Sequence, residues 1–98
     1  MTLYTIQDFQ KNWGTTPPVV VWTLQAADDH LRMSYIGQKE FHFNDKFTIK
    51  DLLIEQDKEN NKMWYAYFIT EDTLPREEWP ATVTSDADFI IHEVEVSG

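Results

Sequence analysis

The sequence predicts an α+β fold in which a short N-terminal helix packs on an antiparallel sheet of five to six strands, or on a partly closed barrel of such strands. Three observations lead to this prediction. A helical apolar stripe lies near the N-terminus, several later segments have strand composition, and the order is helix first and strands after it. The chain has 98 residues, 42% of them apolar, so we expect one domain spanning residues 1–98.

The predicted helix begins at Thr5. Thr5 is a favourable N-cap residue, and Asp8 stands where the acidic member of a capping box lies. The apolar residues that follow recur at helical spacing: Ile6, Phe9 and Trp13. Gly14 suits the left-handed position after a helix, and the prolines at 17 and 18 forbid its continuation.

Strand-like segments occupy much of the remaining chain. They are the β-branched run 19–25 and the alternating or aromatic runs 31–35, 41–43, 63–70 and 88–96, with a turn predicted at 26–29. Residues 47–62 fit either a helix capped by Thr48 and Asp51 or the first arm of a hairpin. We favour the hairpin because the polar tract 57–62 is short and a strong strand follows it. A single helical turn is predicted after Thr73, ending at Pro80.

Charge is distributed unevenly along the chain. The net charge is −9, and residues 71–98 carry −7 of it, with eight acidic side chains against one basic side chain, Arg76. A negative field of this kind repels nucleic acid and anionic lipid and attracts basic protein surfaces. We therefore expect no direct nucleic-acid or membrane binding. The chain has no cysteine and its N-terminus lacks signal-peptide features, so we expect a cytoplasmic protein.

The sequence contains only weak candidates for catalysis or metal binding. Asp28, Asp29 and His30 form one cluster and Asp86 with Asp88 another, but acidic residues are common in turns, and neither cluster has further spaced ligands. There is no phosphate-binding glycine loop and no G-x-S-x-G motif. We predict no enzyme activity, no cofactor and no metal. The best catalytic alternative pairs His92 with Asp86 or Asp88.

Strand parity gives two further expectations. His92 alternates in phase with Ile90 and Val94, which predicts that it lies on the core face of the last strand. Tyr65 and Tyr67 point to one face of the predicted strand 63–70. The other face carries Trp64, Ala66 and Phe68. One set should face the core. The tyrosines and an unpaired sheet edge support an alternative function, a module that binds a small ligand or forms a homodimer.

The leading hypothesis is a small acidic module that binds a basic protein surface. In its most concrete form it is an inhibitor of the immunity or phage counter-defence type that occupies a nucleic-acid site by charge mimicry. A tryptophan ringed by charge has the composition of an interface anchor. The predicted partner-binding residues are Glu77, Glu78, Trp79, Glu93 and Glu95.

Overall fold

The fold is organised around a sheet whose two faces are covered by different segments of the chain. The computed structural model describes residues 1–8, 18–42, 45–71, 73–79 and 87–97. The elements are β1 (Thr2–Asp8), β2 (Val19–Val21), α1 (Leu24–Tyr35), β3 (Lys39–His42), β4 (Asp45–Thr48), β5 (Asp51–Gln56), β6 (Met63–Ile69), the 3₁₀ turn η1 (Arg76–Glu78) and β7 (Phe89–Glu95).

Among the described residues the main sheet has five strands in the order β2-β1-β7-β6-β5, and every neighbouring pair is antiparallel. β3 and β4 form a separate two-stranded hairpin. The α+β class and the antiparallel sheet are confirmed. The sheet is open, because β2 and β5 lie at opposite ends of it, so the barrel alternative is wrong.

The predicted N-terminal helix is wrong over the part that the structure describes. Residues Thr2–Asp8 form β1, which pairs with β2 on one side and β7 on the other. Ile6 lies between Val19 and Ile91 and is buried. Two strand partners outweigh the local capping pattern, since helix propensity is a weak prior against tertiary context. Phe9, Trp13 and Gly14 lie outside the described residues.

The α-helix that the described residues form is α1, which lies in the region where a strand, a turn and another strand were predicted. The Thr23 Oγ1 accepts a hydrogen bond from the Ala26 amide at 2.9 Å and caps the helix. Its buried stripe repeats at helical spacing: Leu24, Ala27, Leu31 and Tyr35. Leu31 is 1% exposed and Met33 is 86% exposed, so the apparent two-residue alternation does not describe this segment. Only the start of the predicted strand 19–25 is correct, as β2.

The second half of the chain agrees more closely with prediction. β5 and β6 form the favoured antiparallel hairpin, and β7 corresponds to the predicted last strand. The predicted helical turn is present as η1, with Pro75 as its N-cap residue. Pro80 lies outside the described residues. β3 covers most of the predicted 41–43 run, whereas Phe43 is not described.

α1 packs across one face of the sheet and forms the main core there. The buried residues of this core are Ile6, Ala27, Leu31, Leu52, Ala66, Phe89 and Ile91. Three aromatic rings lie within it, with centroids 5.3 Å apart for Tyr35–Phe68, 5.1 Å for Tyr35–Phe89 and 5.7 Å for Phe68–Phe89. Trp64 and Phe68 also pack on this core, so the predicted division of β6 into two faces is confirmed.

The opposite face of the sheet is covered in part by the segment that contains η1. Trp79 packs against Tyr67 with ring centroids 5.1 Å apart, and Tyr67 is buried. Arg76 binds Glu55 of β5 through two nitrogens. Tyr67 and Glu55 both point away from α1, because Ala66 and Ile54 beside them pack toward it. η1 and α1 therefore lie on opposite sides of the sheet.

Candidate functional site

The first part of the predicted binding surface is the η1 patch, which we define as Glu77, Glu78 and Trp79. Glu77 and Glu78 occupy the 3₁₀ turn and are exposed. Neither has an ion pair with any residue that the structure describes. Two adjacent unneutralised carboxylates on a defined turn present fixed negative charge to solvent.

Trp79 has a structural role in the same turn. Its indole Nε1 donates to the Leu74 carbonyl at 2.8 Å, and its ring packs edge-on against Tyr67. The Arg76 guanidinium lies over the ring, 4.8 Å from its centroid. Trp79 is half-buried by these contacts. It therefore fixes the position of the turn beneath the two glutamates, and only part of its ring is available to another molecule.

Glu93 and Glu95 lie elsewhere. They alternate in phase with Phe89 and Ile91, which face α1, so their side chains are on the α1 side of the sheet. The Tyr4 hydroxyl donates to Glu93 at 3.2 Å, and the Thr2 hydroxyl donates to Glu95 at 2.8 Å. The Thr2 hydrogen bond, followed by the N-terminal ammonium, lowers the pKa of Glu95. The structure thus brings Glu77, Glu78 and Trp79 together and places Glu93 and Glu95 on the other face.

The α1 side of the sheet also contains an open groove, which we call the helix-side groove. It has a volume of about 450 Å³ and lies between the first turns of α1 and strands β5 and β6. Its lining residues are Leu24, Gln25, Asp28, Ile54, Gln56 and Trp64. Pockets for small ligands span about 300–1,000 Å³, so the groove is large enough to hold one.

The sequence does not predict the groove because three of its six lining residues belong to α1, where strand and turn were predicted. Leu24, Gln25 and Asp28 share one side of α1, but the segment was read as strand and turn. The helical repeat of Leu24, Ala27 and Leu31 is the signal that could have revealed this face. This face of α1 lies beside Trp64 because of the way in which α1 crosses the sheet, and local periodicity does not specify that crossing.

The histidine and carboxylate candidates are dispersed. His30 lies in α1, where Asp28 binds Arg32 and Asp29 accepts from Gln25. Among the described residues no group of three or more His, Cys, Asp or Glu side chains is arranged to hold a metal ion. Asp88 accepts from the Phe68 amide at 2.9 Å. His92 follows it by four strand positions, about 13 Å along the chain, too far for a direct hydrogen bond between them. Asp86 is outside the described residues.

His92 was predicted to lie on the core face of the last strand, but it does not lie on the face that packs on α1. That face carries Phe89 and Ile91, whereas His92 points to the opposite side and is half-buried. Phe89, Ile90 and Ile91 are all buried, because the first half of β7 is covered on both faces. Parity alone cannot identify the main core face of a strand buried on both sides.

One outer strand of the sheet exposes apolar side chains. β2 is only three residues long and pairs with β1, so one of its edges has no strand partner among the described residues. Val20 is 54% exposed and Trp22, just beyond the strand, is 67% exposed. An exposed apolar edge of this kind can pair with a strand of another molecule.

Comparisons with family models, curated proteins and solved structures find no match to this chain. No helix within the described ranges has the length and apolarity needed to cross a lipid bilayer. The function is therefore inferred from the residues and their arrangement.

Proposed function

We propose that this protein is an acidic binding module that attaches to a basic surface of another protein through the η1 patch. The observation that carries the proposal is the exposure of Glu77 and Glu78, neither of which has an ion pair in the described residues, on a turn fixed by Trp79 and by the bond of Arg76 to Glu55. Because the backbone of the turn is held in place, its ordering adds little cost to binding, and the entropy lost on meeting a partner's Lys and Arg is mainly that of the two glutamate side chains.

The proposed role of this attachment is inhibition. Carboxylates held on a folded surface can occupy the Lys and Arg side chains that would otherwise meet phosphate groups, so the proposed partner surface is a nucleic-acid site. In this role the protein competes with nucleic acid and performs no reaction of its own. Its attachment weakens as salt is added, because charge contacts between exposed groups are screened.

The test compares two variants of equal charge. Glu77→Lys/Glu78→Lys reverses the patch, and Glu59→Lys/Glu71→Lys reverses two exposed acids elsewhere; each adds +4 to the net charge of −9 and gives −5. Partners are captured from lysate at low salt with the unaltered protein, purified, and their affinities for all three proteins measured by calorimetry. We expect about a tenfold loss for the patch variant, equivalent to about 1.4 kcal/mol, and little change for the control.

Competition with nucleic acid tests the inhibitory role separately. The unaltered protein should displace an oligonucleotide from the purified partner, and the patch variant should do so only at higher concentration. Equal affinities of the patch and control variants would contradict the proposed surface. Binding to the partner without displacement of nucleic acid would contradict inhibition while leaving the attachment intact.

A second candidate function is self-association through β2, which the exposed Val20 and Trp22 favour. In this case two copies would extend the sheet across their β2 edges. Analytical ultracentrifugation should then show a dimer that Val20→Lys dissociates. A monomer at all accessible concentrations would contradict this function.

A further inference from the structure

The helix-side groove is separate from the η1 patch, because α1 and η1 lie on opposite faces of the sheet. Its walls combine flat apolar surface with two side-chain amides and one carboxylate. Leu24 of α1, Ile54 of β5 and Trp64 of β6 supply the apolar surface. The Trp64 ring is held in place by the Tyr4 ring, with centroids 5.8 Å apart. A flat aromatic wall is suited to a planar or chain-like group.

The polar atoms of the groove include hydrogen-bond acceptors from three side chains: Gln25, Gln56 and Asp28. The Gln25 Nε2 donates to Asp29 at 3.0 Å, and the Gln56 Nε2 donates to the Asn61 carbonyl at 2.9 Å. Each amide nitrogen uses one of its two hydrogens in this bond, and the bond does not occupy the amide oxygen, which can accept from a ligand. The third polar group, Asp28, is a carboxylate and accepts only.

The charge at the Asp28 end of the groove remains negative. Arg32 donates from its Nε to both Asp28 oxygens at 3.0 Å and from Nη1 to Asp51 at 2.6 Å. Its Nη2 donates to the Leu52 carbonyl at 2.9 Å. One guanidinium is therefore shared by two carboxylates, which leaves this trio with a net charge of −1. A ligand that brings positive charge and hydrogen-bond donors complements this net charge and the free acceptor oxygens.

From this complementarity we propose that the helix-side groove binds an arginine side chain of a basic peptide segment. Its guanidinium plane lies against Trp64 and donates to Asp28 and to the amide oxygens of Gln25 and Gln56. Its methylene chain covers Leu24 and Ile54. Arginine fits better than lysine because its planar group both stacks on an aromatic ring and donates in several directions.

The probe is the peptide acetyl-Gly-Gly-Arg-Gly-Gly-amide, titrated into the isotopically labelled full chain and followed by amide and indole NMR signals. The reference peptide contains citrulline, which keeps the length and planar shape of arginine but is neutral and has a carbonyl acceptor in place of one nitrogen donor group. We expect saturable shifts of the Trp64 indole and of the Gln25 and Gln56 side-chain amides. Binding of the arginine peptide should be at least about fivefold tighter, because the charge-assisted hydrogen bond is lost in the reference.

Two variants at one exposed position test the site without disturbing Arg32. Gln25 is exposed on α1, and Gln25→Lys places an ammonium one helical turn from Asp28. This variant should lose binding of the arginine peptide, whereas Gln25→Ala should keep it within about threefold, since it removes one hydrogen bond to a neutral acceptor and adds no positive charge. Far-ultraviolet circular dichroism confirms that both variants are folded. Asp28 itself is left unaltered because it holds Arg32.

The proposal is overturned if the citrulline peptide binds equally well, if Gln25→Lys binds as tightly as Gln25→Ala, or if the shifts lie outside the groove. Glu77→Lys/Glu78→Lys should bind the arginine peptide with unchanged affinity, because its altered residues lie on the other face. A result that contradicts the proposed role of the η1 patch can therefore be distinguished from one that contradicts the proposed role of the groove.

Discussion

At the scale of single residues, Tyr65 and Asp57 form a hydrogen-bonded pair on the face of the sheet opposite α1. The Tyr65 hydroxyl donates to Asp57 Oδ2 at 2.8 Å. Burial, followed by this hydrogen bond, raises the pKa of Tyr65 to about 12. The Glu59 amide, followed by the Tyr65 hydroxyl, lowers the pKa of Asp57. The two pKa values thus move apart.

These shifts define the pH range in which the pair stabilises the fold. The contribution of Tyr65 is fully present below its ordinary pKa of 10.0 and is lost as the pH rises through about 12. The contribution of Asp57 is present above its ordinary pKa of 3.8 and is lost as the pH falls through its lower value in the fold. Both contributions are present at neutral pH.

Removing the Tyr65 hydroxyl should raise the pKa of Asp57 but not restore its ordinary value. In Tyr65→Phe the amides of Glu59 and Asn60 still donate to Asp57 Oδ1, so part of the lowering remains. The measurement is an NMR titration of the Asp57 carboxyl carbon. Tyr4→Phe is the control, since it removes a hydroxyl bound to Glu93 and should leave the pKa of Asp57 unchanged. An identical Asp57 pKa in Tyr65→Phe and the unaltered protein would show that the hydroxyl has no influence.

At the scale of elements, α1 determines both the main core and one wall of the groove. Its first turn is capped by Thr23, and its apolar stripe includes Ala27 and Leu31. Its basic residue Arg32 reaches β5 through Asp51 and the Leu52 carbonyl. The helix is thus tied to the sheet by packing along its stripe and by one guanidinium. The groove depends on this attachment because Leu24, Gln25 and Asp28 belong to the first turns.

Thr23→Ala should destabilise the protein by about 1 kcal/mol, the usual effect of losing a side-chain N-cap. The lost acceptor leaves the Ala26 amide without its side-chain partner, so hydrogen exchange should accelerate in the first turn of α1. Urea denaturation measures the free energy of unfolding. Thr23→Ser, which keeps the hydroxyl, serves as the matched control. Equal losses in the two variants would mean that the hydrogen bond is not the source of the effect.

The elements that sequence reasoning identified correctly are those stabilised by strong local patterns. β6 has an aromatic strand composition, the polar tract before it predicts a hairpin, and Pro75 marks the start of η1. The segment of β1 was predicted as helix and that of α1 as strand and turn, because local signals for helix and for strand were both present. Thr5 and Asp8 resemble a capping box, and Leu31 and Tyr35 fit both a two-residue and a helical repeat.

At the scale of the whole molecule, the net charge of −9 opposes the compact state. The short contacts that offset it are few within the described residues. Arg32 is shared by Asp28 and Asp51, Arg76 binds Glu55, Lys50 lies 3.8 Å from Glu71, and the N-terminal ammonium lies 3.3 Å from Glu95. Repulsion among the remaining acids acts over longer distances and is screened more readily by salt than a contact pair.

Thermal unfolding should therefore shift upward when sodium chloride is raised from about 10 mM to about 100 mM, which shortens the Debye length from about 30 Å to about 10 Å. We expect Tm to rise by a few degrees. The rise should be smaller for Glu77→Lys/Glu78→Lys, whose net charge is −5 after the addition of +4 to −9. A fall in Tm would show that the screened attractions exceed the repulsion.

The sequence by itself determined the α+β class, the hairpin of β5 and β6, the last strand and the concentration of acidic residues after position 70. These features follow from composition and short-range periodicity. The tertiary structure decided that residues 2–8 form a strand, that the helix begins at Leu24, and that Glu77 and Glu93 lie on opposite faces. Each of these depends on which strands pair and where the helix crosses them. Such contacts join residues far apart in the chain, and local patterns carry no information about them.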